Sequence, residues 1–269
     1  MQKKNTNGSF YNPSAGESNI IGAKSYDKHG NPVGTAYDLG RDGSFKGYNI
    51  LIGQFYTETE FNAGMKKPID ALKIKGFEVK HVQNESSFLS ELRSKRYCVA
   101  WVISSISISD ATFISTLMEF HSAGGAIFLF ADNTPYTCHA SDFLKKKFGV
   151  TLTGEFYGGQ ILKYNENGCQ TAGHFGKHDI FTGINHLFEG ITICHPVYSI
   201  SANRELLRTL ATATDGNPCI SVSDPSAKST EGRLCLDCGF TKLYINWDDA
   251  GTARYIVNVS CWLTGLDRQ

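Results

Sequence analysis

The residues best placed for chemistry lie in one stretch, "GGAIFLFADNTPYTCHASDFLKKKFG", from Gly124 to Gly149. An apolar strand there runs into a short polar turn and then a helix. Many α/β enzymes mount a nucleophile on such a turn. Asp132, Asn133 and Thr134 open it, and Cys138-His139 follows. A carboxylate at a strand end serves as a general base when burial raises its pKa. A thiol at a helix N-terminus is expected to have a lowered pKa. Adjacency in the chain does not make a Cys–His dyad, because the two groups must meet in space. The plainer expectation is a partly buried Cys138 beside a capping or surface His139.

Other groups invite the same weighing. "CHPV" places a further imidazole at His195. His174, His178 and His186 cluster in "GHFGKHDIFTGINH", too scattered for a pair of metal ligands on one helix face. They read as loop histidines with satisfied ring nitrogens, although Asp132 with His178 would make a polar cluster at a crevice mouth. Cys235 and Cys238 have C-x2-C spacing, but no second ligand pair follows. In a strand their thiols face opposite sides. No metal site is expected. Neither G-x-x-x-x-G-K-[ST] nor a G-x-G-x-x-G after a strand is present, so no phosphate-bearing cofactor is expected either. Asp248 or Asp249 is expected to cap the final helix. The alternative makes them rim groups with Arg254 as counter-charge.

The elements that would position these residues alternate. "YNILIGQF", "FEVKHVQ", "YCVAWVISS" and "AIFLFAD" read as strands. Between them lie helical patterns. One carries Phe61, Met65, Ile69 and Leu72 at helical spacing, with Pro68 kinking it or starting its second half. "SSFLSELRSKR" reads as a short helix with a serine cap. The third is capped by Ser109 or Asp110 and closed by Gly124 and Gly125. Strands apolar on both faces, alternating with helices, predict a mostly parallel sheet covered on both sides. Ligands in such sheets sit beyond the carboxyl ends of the strands. That brings Gln54–Tyr56, Ser104–Ser107 and Asp132–Thr134 around one crevice. Gln54, Asp132, Asn133 and Thr134 are the candidate ligand-binding residues, and Asp132, Cys138 and His195 the weaker catalytic candidates.

Beyond residue 150 the pattern loosens into short strands and a long excursion. "PCISVSD" and "RLCLDCGF" form a pair joined by "PSAKSTEG", and "AGTARYIVNVSCWLTG" is the last helix. Residues 1–46 are rich in turn formers and read as an irregular, partly mobile extension. Tyr11, Ile20, Ile21, Tyr26 and Tyr37 give it docking points on the domain or a neighbour. Residues 47–269 form the folded domain.

Composition excludes several classes. Of 269 residues, 41% are apolar, and formal net charge is zero. A basic footprint for nucleic acid or an anionic membrane is therefore missing. No apolar run reaches the length of a membrane span. The polar start predicts no secretory leader. The eight cysteines sit mostly in apolar runs such as "YCVAW" and "NVSCWL", which predicts reduced thiols and a cytoplasmic setting.

The order strand, helix, GG, strand, short turn, helix ending in "FGV" resembles the class I glutamine-amidotransferase-like superfamily. It is most similar to noncatalytic branches, the ThuA-like proteins and the amidotransferase-like domain of an intraflagellar-transport subunit. "GKHDIFTGINHLFEG" is similar to the "HP(I/L)T.GV" segment of those branches. "EGRLCLDCGFTKL" and "AGTARYIVNVSCWL" resemble their closing strand, loop and helix. The resemblance spans about residues 47–265 and implies a flavodoxin-like α/β fold with added C-terminal strands. Active members carry a cysteine where this chain has Asp132, and often "HPE" where it has "HPV". The resemblance therefore implies a noncatalytic binding or scaffold domain, with a protein partner or self-association and a small ligand as a further option. The alternative is a small-molecule or sugar-directed hydrolase or isomerase working around Asp132.

Overall fold

The structure, a computed structural model, describes residues 10–56 and 64–268. The apolar runs become β1 (Asn49–Phe55), β2 (Glu78–Val82), β3 (Val99–Ser104) and β4 (Ala126–Phe130). The second half adds β5 (Val150–Tyr157), β6 (Ile161–Tyr164), β7 (His174–Phe175), β8 (His186–Phe188), β9 (Thr192–Tyr198), β10 (Arg208–Thr212), β11 (Pro218–Ser223) and β12 (Leu234–Asp237). Ten of these make one sheet in the order β2-β1-β3-β4-β12-β11-β10-β7-β6-β8. β1, β2, β3, β4 and β12 run parallel, and β12 to β10 continue antiparallel. β3, β4 and β12 are buried at every position, as strands covered on both faces must be. β2 is an edge strand and half exposed. β5 and β9 stand apart as a two-stranded antiparallel ribbon.

The helices are α1 (Lys66–Lys75), α2 (Glu85–Arg93), α3 (Ala111–Ser122), α4 (Cys138–Phe148), the single-turn α5 (Lys242–Ile245) and α6 (Thr252–Leu263). α2, α3 and α4 pack side by side, and α1 packs with α6. The fold is thus α/β and flavodoxin-like, a large sheet flanked by helices with antiparallel strands added toward the C-terminus.

Several helix ends depart from the sequence reading. α1 begins at Lys66, and Phe61 lies outside the described residues. Pro68 falls in the first turn, where its missing N–H had no partner in any case. α2 is capped by Asn84, not by a serine, because the Asn84 side chain accepts from Ser87 N–H at 2.8 Å. Asp110 caps α3. Neither Asp248 nor Asp249 caps α6, whose N-cap is Gly251 in a left-handed conformation. Asp249 instead meets His29 at 2.9 Å and Lys28 at 3.0 Å, and Asp248 pairs with Lys67. Arg254 turns from both to Asp38, at 2.7 Å.

The described part of the N-terminal extension lies across α1 and α6. Asp38 bridges Arg254 on α6 and Lys75 on α1, the latter at 2.8 Å. Leu39 N–H donates to Asn258 Oδ1 at 2.7 Å. Phe45 is fully buried and stacks on Phe77, ring centroids 4.7 Å apart. Gly40 is required where the strap touches α6, since a Cβ there would lie 2.6 Å from Cys261 Sγ. Of the proposed docking residues, Tyr11 and Ile20 are buried, whereas Ile21 is exposed.

Candidate functional site

β1 sits between β2 and β3, so the winding of the sheet reverses between β1 and β3. Ligand crevices in open α/β sheets form outside the carboxyl ends of the strands at that reversal. A pocket of about 200 Å³ lies there. Tyr56 follows β1, Ser105 follows β3, and Asp132, Asn133 and Tyr136 follow β4; Ile191, Thr192 and Thr241 close the far side. Drug-sized ligands occupy roughly 300–1,000 Å³, so this pocket suits a small group or one side chain. A larger hollow of about 310 Å³ lies between the N-terminal strap, α1 and α6, away from the strand ends. Another, about 460 Å³, lies at the amino edge of the sheet between α2 and α3. Neither gathers the residues that the strand ends bring together.

The turn after β4 is held firmly. Asn133 N–H donates to Asp132 Oδ1 at 2.8 Å, and Tyr136 N–H to Asn133 O at 2.8 Å. Thr134 and Gly154 exchange two bonds of 3.0 Å, N–H to O and N–H to Oγ1. Asp132 is 6% exposed, whereas Tyr136 at the rim is 41% exposed. Tyr56 stacks on Tyr244 at 5.4 Å and meets Phe240 edge-on.

The sequence-derived site residues divide. Asp132 and Asn133 line the pocket, but Gln54 and Thr134 do not. Gln54 Nε2 donates to Tyr244 OH at 3.2 Å, and its Oε1 meets His81 Nε2 at 2.9 Å. Thr134 N–H and Oγ1 are engaged by Gly154, and its carbonyl oxygen accepts from Asn133 Nδ2 at 3.2 Å. His195, opposite Thr153 in the ribbon, stands behind the turn; a Cβ on Gly154 would lie 2.9 Å from its Nδ1. His178 does not join Asp132. It packs on Trp262, beside Arg233 at the amino end of β12, the opposite edge of the sheet. The expectation that the loop histidines are all satisfied fails at His186, whose Nδ1 has no hydrogen-bond partner among the described residues.

Cys138 opens α4, and its thiol donates to Ser107 O. Burial pushes the thiol pKa up and the nearby Asp142 charge adds to it, the reverse of the lowering expected from a helix N-terminus. His139 is neither a cap nor a surface group. It is fully buried, stacked on Phe113 at 4.2 Å. Its Nδ1 lies 2.8 Å from Ser104 Oγ and its Nε2 2.7 Å from Glu85 Oε1. Sequence reasoning missed this line, since its members are 35 and 54 residues apart and carry no local signal. In a catalytic triad the hydroxyl faces the substrate and the acid is buried. Here the order is inverted: Ser104 is 4% exposed and Glu85 occupies the outer end. The line therefore ties the starts of α2 and α4 to the end of β3. Burial, partly offset by Glu85, holds His139 below the usual imidazole pKa.

A second missed feature lies beside the pocket wall. Asp237 and Lys242 form a fully buried ion pair at 2.7 Å, and Gly239 N–H donates to Asp237 at 2.8 Å. Cys235 and Cys238 are buried next to it, and burial drives the Cys235 thiol pKa far above its ordinary value. Among the described residues no group of three His, Cys, Asp or Glu side chains is placed to hold a metal ion. No described helix is long and apolar enough to cross a membrane.

No family model matches the chain, and no curated protein does. Solved structures do. The mmIFT52 N-terminal domain superposes with a TM-score of 0.57 at 10% identity, over 80% of this chain and 97% of that one. A ThuA-like protein from Bacteroides uniformis ATCC 8492 gives 0.51 at 13% identity, over 81% and 91%. The cytoplasmic protein STM3548 from Salmonella typhimurium gives 0.51 at 11% identity, over 80% and 98%. At such identities the likeness is one of fold. The chain has the ThuA-like, IFT52-like fold.

Proposed function

We propose that this chain is a noncatalytic amidotransferase-like domain that acts by binding, as a scaffold in a cytoplasmic protein assembly. One observation carries the reading: the strand end that bears a thiol in active relatives delivers Asp132, and the nearest thiol lacks an imidazole base. Cys138 is turned to a backbone carbonyl, and both ring nitrogens of its neighbour His139 are engaged elsewhere. A pKa raised by burial further disfavours the thiolate that acyl chemistry needs. All eight cysteines are free, which favours a reducing compartment. The resemblance to an intraflagellar-transport domain supports the scaffold role by analogy of fold.

Turnover measurements test the reading. Purified protein incubated with glutamine, chromogenic esters and chromogenic glycosides is expected to release no product above buffer, and Asp132→Asn to behave alike. Turnover that Asp132→Asn abolishes would overturn it. A photo-crosslinking residue at position 136 is expected to give a discrete heavier adduct in the native host. Monomer alone from that position would remove the binding role at this crevice.

A further inference from the structure

The two edges of the ten-stranded sheet end differently. At β8 the outward backbone groups are satisfied. Asn31 Oδ1 accepts from His186 N–H at 2.9 Å, Asn31 Nδ2 donates to His186 O at 3.0 Å, and Phe188 N–H donates to Ala250 O at 3.1 Å. At β2 they are not. Glu78 N–H donates to Tyr48 O at 3.0 Å, and the parallel ladder turns the N–H and C=O of Lys80 and Val82 toward β1 as well. Those of Val79 and His81 point outward, and among the described residues no hydrogen bond reaches them. Every residue of β2 is exposed or half-buried. An unpaired edge of this kind is a template for a further strand.

Charge decides which strand fits. Glu78 and Lys80 are exposed and, two residues apart, project to one face. Glu91 on α2 feels the Lys80 charge, but Arg96 and Tyr97 already donate to its carboxylate. Residues directly opposed in an antiparallel pair share a face, so opposite charges attract there and like charges repel. Antiparallel pairing of β2 with itself about Val79 sets Glu78 of each copy against Lys80 of the other. Pairing about Lys80 would bring two ammonium groups together, and pairing about His81 would leave Lys80 opposite Val82. A lysine on an edge strand discourages pairing; Glu78, two residues away, makes one register the exception.

We infer that the β2 edge receives the β2 edge of a second copy of this chain, antiparallel and centred on Val79, so that the sheet continues across a two-fold axis. Val79 of each copy exchanges N–H and C=O with Val79 of the other, and His81 N–H donates to Phe77 O. The contact is short, so association in the micromolar range or weaker is expected. This edge is separate from the crevice beyond β4, and either can fail as a binding surface without the other.

The test is sedimentation velocity of the full chain over a concentration series at low salt, where the parent is expected to dimerise. Lys80→Glu sets carboxylate against carboxylate, and Glu78→Lys sets ammonium against ammonium. Each is expected to weaken dimerisation about ten-fold or more. An equimolar mixture of these two variants is expected to recover most of the parent affinity as a heterodimer, since each then opposes the other's charge. Val79→Pro removes an outward N–H, keeps the bonds to β1, and is expected to abolish the dimer while retaining the circular dichroism of the parent. The two charge variants lie at exposed positions and keep the test usable if Val79→Pro unfolds. A parent that stays monomeric up to about 1 mM overturns the inference and leaves this edge to a strand of another protein. A dimer indifferent to all three variants overturns it too, as does a mixture no better than its components.

Discussion

His121 lies on the buried face of α3, edge-on to Phe143 at 5.7 Å, and neither ring nitrogen has a hydrogen-bond partner among the described residues. Burial, with the Lys147 charge second, pushes its pKa down from 6.5 to about 4. Above pH 6.5 both folded and unfolded chains hold it neutral, and it costs nothing through protonation. Between pH 6.5 and about 4 only the unfolded chain takes up the proton, so stability falls as pH falls through that window. By pH 5 the loss from this residue reaches about 2 kcal/mol. His81, His139 and His186 are lowered too and add in the same direction. His121→Phe is expected to be more stable than the parent by about 1 kcal/mol at pH 7, since two unpaired buried nitrogens disappear. Its loss between pH 7 and pH 5 should be smaller by about 2 kcal/mol, read from urea titrations. An unchanged pH slope would contradict this account. The same scale shows what a sequence discloses. Asp132 was legible because a strand end displays its residue to a crevice whatever the surroundings. The partners of His139 were not, because only tertiary packing joins residues 85, 104 and 139.

At the scale of elements, α6 has a polar pivot on its buried face. Asn258 is fully buried; its Oδ1 accepts from Leu39 N–H, and its Nδ2 donates to Thr182 O at 2.8 Å. Asn258→Ala strands both backbone groups away from water and is expected to cost about 3 kcal/mol. A smaller effect belongs to the cap of α3. Asp110 accepts from Thr112 N–H at 2.5 Å and Phe113 N–H at 3.3 Å, so Asp110→Ala should lower stability, and by less than Asn258→Ala. Denaturant midpoints of the two variants measure both, and an order in which the exposed cap outweighs the buried pivot would refute the ranking. Helix α3 was readable because its cap, its apolar face and its closing glycines all lie within one window. Capping of α2 was misassigned because Asn84 and the serines after it offer the same oxygen chemistry one turn apart. α6 reversed the expectation for Asp248 and Asp249, since the strap drew Asp249 to Lys28 and His29, more than two hundred residues away.

For the whole molecule, the parallel half was legible and the rest less so. Buried parallel strands announce themselves as continuous apolar runs. β6, β7 and β8 are two to four residues long, too short for any periodicity to register. Residues 10–46 hold little regular structure and are tied down by single bonds, within the strap as from Asn12 N–H to Leu39 O and to distant elements as from Leu39 N–H to Asn258, rather than by repeats of their own. A chain beginning at residue 47 is expected to lose the cooperative melt of the parent and to aggregate, since Phe77 and Cys261 would lose the cover of Phe45 and Gly40. Calorimetry checks this, and an intact sharp transition would show the strap to be dispensable. The bond from Leu39 to Asn258 spans 219 positions. During translation, at about 5–20 residues per second, the stretch around Leu39 emerges long before Asn258 exists. For that interval the nascent strap lacks α6 to lie on, and a holdase or a neighbouring polysome chain has first access to the face that α6 later covers.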